Sequence, residues 1–432
     1  MWRQFKNLRT MKKVLFLGGK IVDRDFSVPD VVKYLREQSQ YLHSLSIEEI
    51  IDFFNALAIY WDNSELGKKY FLRNLSDFFK KDSLKNKLTV SFRGNYSVLD
   101  KVVDIGDNNL LFHAQPRGLI VHWLAGNVPI LGLFSIFIAL VTKNVSLVKA
   151  SPKGYNDLVF LLNTLSNIKT DRVDGKIILK SIAVILVDNE DRDTHQELSL
   201  NADVRIAWGG IEAVNSIVSL RKSIFCEDVI FGPKYSYAVI DKESLEKDGE
   251  KLVQKFAIDV SVFDQYACSS PHTLFIEEKE KGNAEDFAKK LAKQLDIINS
   301  KLLPKGEIDS VKALEIVGLR AEYEFKGKVF SSSGTEWTVV YTEEKGLAKG
   351  CFSRVIFVKP VEDIRQLGNF NNRQKQTLGV ALTEENREKY LDIITIKGID
   401  RCPKFGYMTF YESPWDGLFL FDRLVRWISI HK

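Results

Sequence analysis

The chain has 432 residues, 45% hydrophobic and 27% charged, a globular composition that excludes a disordered or fibrous chain. Its 61 Lys+Arg against 57 Asp+Glu leave a net charge of +4, a balance that gives no electrostatic case for nucleic-acid binding. The N-terminus is basic (Arg3, Lys6, Arg9, Lys12, Lys13), but the apolar run Val14 to Leu17 is too short for a signal-peptide core. Met11 is an alternative start. Residues 11–27 then read as a strand pair around a Gly18-Gly19 turn, and residues 28–92 as helices, from apolar spacing such as Ile47 to Trp61.

From about residue 117 the texture changes to strands alternating with helices. Gly118 to Trp123 is a strand, followed by the turn Ala125-Gly126-Asn127 and an apolar helix from about 130 to 142, which takes in most of the longest apolar stretch, Val128 to Val141. That apolar stretch falls short of the roughly 20 residues a membrane span needs, so it reads as a buried helix. Val145 to Val148, Ser181 to Val187, Val204 to Trp208 and Ala238 to Ile240 are further strands of this block, with a helix at Asp157 to Leu165. A second block runs from about 250 to 400, with strands at Thr273 to Ile276 and Val355 to Val358 and an amphipathic helix at Asn283 to Ile298. Strands separated by helices imply parallel pairing. The charged segment 241–250 is the expected boundary between the blocks.

No GxGxxG, Walker loop or HExxH is present. Cysteines occur only at 226, 268, 351 and 402, with no CxxC pair, which fits free thiols in a reducing compartment and a cytoplasmic location. Cys268 lies on Phe263-Asp-Gln-Tyr-Ala-Cys-Ser-Ser-Pro271, where small neighbours let a substrate approach and a backbone N–H can face an oxyanion. The plainer reading is an inert, buried thiol. Asn127, between a strand and an apolar helix, is either an oxyanion donor or a helix N-cap. Lys149 ends a strand, where open α/β sheets bind ligands, or is an ordinary exposed lysine. Trp208-Gly209-Gly210 leads into a helix, where glycines let a pyrophosphate approach the N–H groups, or is a plain tight turn. His122, His195 and His272 have no partners at metal-ligand spacing; His122 is near Asn127 in sequence.

In order, these pieces resemble the aldehyde dehydrogenase superfamily, and within it the LuxC-type acyl-CoA reductases. The phrases that carry the resemblance are His122-Trp-Leu-Ala-Gly-Asn-Val-Pro129, Lys149-Ala-Ser-Pro152, Ala207-Trp-Gly-Gly-Ile-Glu-Ala213, Phe231-Gly-Pro-Lys-Tyr-Ser236 and Asp264-Gln-Tyr-Ala-Cys-Ser-Ser-Pro271. It covers about residues 110 to 427. It implies an α/β, aldehyde-dehydrogenase-like fold: an N-terminal strand and helical region (1–110), a Rossmann-like NADP-binding domain (111–241), a Rossmann-like catalytic domain (242–400) and a C-terminal segment (401–432). It also implies reduction of an acyl thioester by NADPH. Cys268 would carry the acyl group and Asn127 would hold the oxyanion. Lys149, Ser151, Trp208, Gly209, Gly210 and Gly232 would bind the cofactor, without a metal. The thioester would be an acyl-CoA or acyl-protein, with an acyl-activating synthetase or acyl transferase as partner, and the enzyme a dimer or tetramer. Luminescence is one use of such an aldehyde.

Two departures matter. Where aldehyde-oxidising members have a glutamate that activates water, alignment on Lys234 places Ile230, which cannot act as a base. The Glu-Ile-Phe-Gly-Pro motif that holds the nicotinamide ribose elsewhere is not visible near 349–360. Rival readings are an aldehyde oxidiser with another base, a catalytically silent assembly subunit, and a pure acyl transferase that needs no nucleotide.

Overall fold

The computed structural model describes residues 12–107, 109–126, 128–278 and 282–432. Asn127 and the basic stretch before Lys12 lie outside the described residues. The first turn shows how local chemistry sets the start of the fold. Gly18 and Gly19 take φ of 64° and 74°, which costs glycine little, and this turn joins β1 (Lys12–Leu17) to β2 (Lys20–Arg24). Ser46 and Glu49 then form a reciprocal capping box that starts the helix Ile47–Asp62.

The chain forms two units: residues 1–232 with 411–432, and residues 233–410. The first unit holds a seven-stranded sheet. β4 (Leu119–Trp123), β5 (Val145–Lys149), β6 (Ile182–Val187), β7 (Val204–Trp208) and β8 (Glu227–Phe231) run parallel, in the order β2-β1-β6-β5-β4-β7-β8. Every residue of β4, β5, β6 and β7 is buried, because helices cover both faces of a parallel sheet. The helix Pro129–Val141 is hydrophobic all round and buried, as its sequence requires. Phe137 packs against Phe54, Trp61 and Phe79 of the N-terminal helices, and Tyr411 stacks on Phe134 with centroids 4.2 Å apart. A separate ribbon pairs β3 (Leu110–Pro116) with β15 (Val425–His431), so the last residues of the chain return to the first unit.

The second unit holds a six-stranded sheet. It contains β9 (Tyr235–Ile240), β10 (Pro271–Glu277), β11 (Lys328–Ser331), β12 (Thr338–Tyr341), β13 (Val355–Val361) and β14 (Lys375–Ala381), in the order β11-β12-β13-β10-β9-β14. All neighbours are parallel except β11 and β12. Period-two alternation sends Leu274 and Ile276 into one core and Phe275 into the other. Residues 238–240, read from sequence with the first block, sit instead in β9 of this second sheet. β8 and β9 are only three residues apart, and nothing in their composition tells that they pair in different sheets. The charged segment 241–250 is the start of the helix Lys242–Ser261, whose N-cap Asp241 accepts from the Ser244 N–H. Among the described residues no helix is long and apolar enough to cross a membrane.

Asp259 on that helix is fully buried and accepts the Gly406 and Met408 N–H groups at 2.6 and 3.0 Å, which fastens the 401–410 segment to it. Burial pushes its carboxyl up from 3.8 to about 7 despite those two bonds. Folding therefore favours the protonated form. Its contribution to stability is fully present below 3.8 and is lost as pH rises through about 7. Asp259→Asn removes this titration. The expected outcome is that wild-type stability relative to the variant falls between pH about 4 and about 7, measured by thermal melting; a constant difference contradicts the assignment.

Candidate functional site

In the first unit a cleft of about 730 Å³ opens at the C-terminal ends of β4, β5 and β7 and against the loop after β6. This edge of a doubly wound sheet is where loops and helix N-termini leave room for a ligand. Trp123, Gly126, Lys149, Ser151, Trp208 and Gly209 all line it, with Gly210 beside them. Five of the six residues expected to bind a cofactor are therefore together. Gly232 follows the end of β8 and is outside the lining.

Close approach explains the glycine at 126. A Cβ there would lie 2.4 Å from the Lys153 carbonyl oxygen and 2.5 Å from Ser151 Oγ. Gly210 precedes the helix Ile211–Val218 without a side-chain cap, so among the described residues the first N–H groups of that helix have no capping side chain. Trp208 stacks on Phe231 at 3.7 Å, and the Gly209 N–H donates to the Phe231 carbonyl. The cradle is thus backbone and small residues held by an aromatic pair. Such a cradle fits the pyrophosphate of a dinucleotide.

Lys149 is buried, and its ammonium donates to Asn189 Oδ1 at 2.7 Å. Burial lowers its pKa, and the neighbouring Asp188 charge partly offsets this. His195 also lines the cleft: its Nδ1 accepts from Trp123 Nε1 at 3.0 Å, so its Nε2–H is left to donate to the Asp188 carbonyl at 3.1 Å. Burial, then the Lys149 charge, lowers its pKa and favours the neutral ring. Asn189, Arg192 and His195 were not expected in the site. They follow the end of β6, so the strand-end argument that singled out Lys149 applies equally to them. His122 lies between the Ser135 and Ser146 hydroxyls at 2.9 and 3.1 Å, where burial lowers it to about 3. It is a neutral packing residue.

In the second unit Cys268 is half-buried on the loop before β10. The turn leading to it is unusual. Phe263, Asp264 and Gln265 all have positive φ, 54°, 48° and 67°, a region that side chains disfavour. A second such run, Phe352, Ser353 and Arg354, precedes β13. The two runs hold each other. The Gln265 amide donates to the Pro271 and Val355 carbonyls at 2.7 and 2.9 Å and accepts the Val355 N–H at 2.9 Å. Arg354 pairs with Asp264, and Tyr266 hydrogen-bonds Ser353 and stacks on Phe352. Ser236 Oγ donates to the Cys268 carbonyl at 2.7 Å, which ties the cysteine to β9.

Two of the other cysteines are disfavoured as nucleophiles by burial. Cys226 and Cys351 are buried, and burial raises both thiols, Cys351 to about 11. Cys402 packs against an apolar cluster. His272, after Pro271, is lowered to about 4 by burial and is neutral. Among the described residues no group of three or more His, Cys, Asp or Glu is placed to hold a metal.

The family model described as "Acyl-CoA reductase (LuxC)" matches residues 24–427. The chain is 27% identical over 410 residues to a long-chain acyl-protein thioester reductase of Aliivibrio fischeri, covering 89% of this chain and 82% of that one. It is 26% identical over 412 residues to the Vibrio harveyi protein of the same name, covering 90% and 83%. Among solved structures it is similar to aldehyde dehydrogenase 21 of Physcomitrella patens, with TM-score 0.65, 10% identity and 99% and 95% of the two chains covered. It is also similar to the P. syringae indole-3-acetaldehyde dehydrogenase AldA in complex with NAD+, with TM-score 0.66, 11% identity and 99% and 97% covered. At such identity these two structures show the fold, which is that of the aldehyde dehydrogenases.

Gln265→Leu keeps the volume but strands the Val355 N–H and two carbonyls, so a loss of about 2–4 kcal/mol is expected in urea unfolding. A loss within about 0.5 kcal/mol, the range of ordinary surface changes, would show that the amide does not brace the turn.

Proposed function

Because the chain belongs to the acyl-CoA reductase (LuxC) family, we propose that it reduces a fatty acyl thioester to the aldehyde with NADPH through an acyl-enzyme on Cys268. The observation that carries this is the braced left-handed turn that holds the Cys268 loop at the start of the interior strand β10. Ordinary burial of a thiol requires no such turn. The relatives named above are acyl-protein thioester reductases, so we take a protein-bound thioester, as well as acyl-CoA, as donor.

Cys268 as thiolate attacks the acyl carbonyl. Its new C–S bond replaces the bond to the leaving thiol, which departs with a proton. As oxyanion donors we propose the Cys268 N–H and, from the family resemblance, the Asn127 amide; Asn127 lies outside the described residues. The cleft of the first unit suits a nicotinamide dinucleotide, with Gly126, Gly209 and Gly210 at the pyrophosphate and Lys149 and Ser151 toward the adenine ribose. When bound in reduced form, that cofactor supplies the hydride that the acyl carbon needs. Cys268 then leaves the resulting thiohemiacetal and the aldehyde departs. Water is a poor competitor, since Ile230 offers no base where oxidising members have a glutamate.

Cys268→Ala is expected to lower acyl-CoA-dependent NADPH oxidation by up to about six orders of magnitude, the cost of losing a covalent nucleophile; near-normal turnover sinks the proposal. Run in reverse, aldehyde with NADP should yield little free acid, and added coenzyme A should restore NADPH formation. Rapid acid formation without a thiol would favour aldehyde oxidation.

A further inference from the structure

Within the cleft of the first unit the cations are not equivalent, and this difference bears on which nicotinamide cofactor is chosen. A cofactor with a ribose 2′-phosphate differs from one without it by about two negative charges. In dinucleotide-binding folds an acidic residue takes the 2′-hydroxyl, whereas an arginine accommodates the 2′-phosphate. Lys149 is the cation expected from sequence, but its ammonium is buried and already donates to Asn189. Arg192 is different. It opens the helix Arg192–Asn201, lines the same cleft and is exposed, and among the described residues no group takes its guanidinium. Of the acids beside it, Asp191 caps the helix through the Thr194 N–H and hydroxyl and Asp188 accepts the Glu190 N–H, while the exposed Asp193 follows it in the first turn. Glu190 and Glu212 also line the cleft and oppose an anion there.

From this arrangement we propose that Arg192, rather than Lys149, selects the 2′-phosphate and so sets the preference for NADPH over NADH. The inference rests on the reading of this cleft as the nucleotide site. A guanidinium meets a phosphate through two parallel N–H···O bonds, which an ammonium cannot do. Arg192 can supply them without breaking an existing pair. Lys149 holds the Asn189 loop and gives charge at a distance. Glu190, two residues earlier, limits the preference by repulsion.

The test is calorimetric titration of the full chain with adenosine 2′,5′-bisphosphate and with AMP, which differ only in the 2′-phosphate. Wild type is expected to bind the bisphosphate about tenfold or more tightly than AMP, the size of one good charge-assisted contact. Arg192→Ala should remove most of that ratio by weakening the bisphosphate alone, Arg192→Lys should restore it in part, and Glu190→Gln should increase it. An unchanged ratio in Arg192→Ala overturns the assignment while leaving the cleft as the nucleotide site. Failure of wild type to bind either probe overturns both.

Discussion

The buried side-chain amide of Gln265 holds together a piece of backbone that would otherwise relax. Three consecutive residues with positive φ are individually unfavourable, and a run of three requires the surroundings to enforce it. Gln265 does so by using both ends of its amide on β13 and on the carbonyl of Pro271. Asp264 and Tyr266 add an ion pair and a ring stack to the facing run 352–354. Cys268, the proposed nucleophile three residues beyond the run, inherits a position fixed by this bracing. Rigid placement of a nucleophile is what catalysis by proximity demands.

The first unit follows a different rule. Its cleft is made chiefly from strand ends and glycines. Two polar pairs line one side: buried Lys149 with the exposed Asn189, and buried Trp123 with buried His195. Lys149 Nζ, Trp123 Nε1 and both ring nitrogens of His195 have partners there, which holds that wall in place. The exposed part of the rim, Glu190 and Arg192, is where charge remains available to a ligand.

Much of this is legible in the sequence. The strands of the first sheet are apolar runs between helices, and the helix Pro129–Val141 is too hydrophobic to be anywhere but inside. Cys268 stands out as a candidate in the sequence for its small neighbours and Lys149 for ending a strand, and Lys149 does line the cleft. The pairing of β9 with the second sheet is not legible, since short apolar strands look alike until their partners are known. Nor is the ribbon of β3 with β15, which joins segments some three hundred residues apart. The roles of Gln265 and His195 are hidden for a related reason: a buried amide or imidazole is explained only by what it touches. The arginine at 354 looks like any surface charge until Asp264 is found beside it.

The central claim is that the acyl group passes through Cys268. Intact-protein mass spectrometry of the chain after incubation with a fatty acyl-CoA tests it most directly. The account predicts one acyl adduct, mapped by proteolysis to Cys268, which disappears on addition of NADPH with release of one equivalent of aldehyde. Aldehyde formation with no adduct, or with the adduct on another residue, would contradict it.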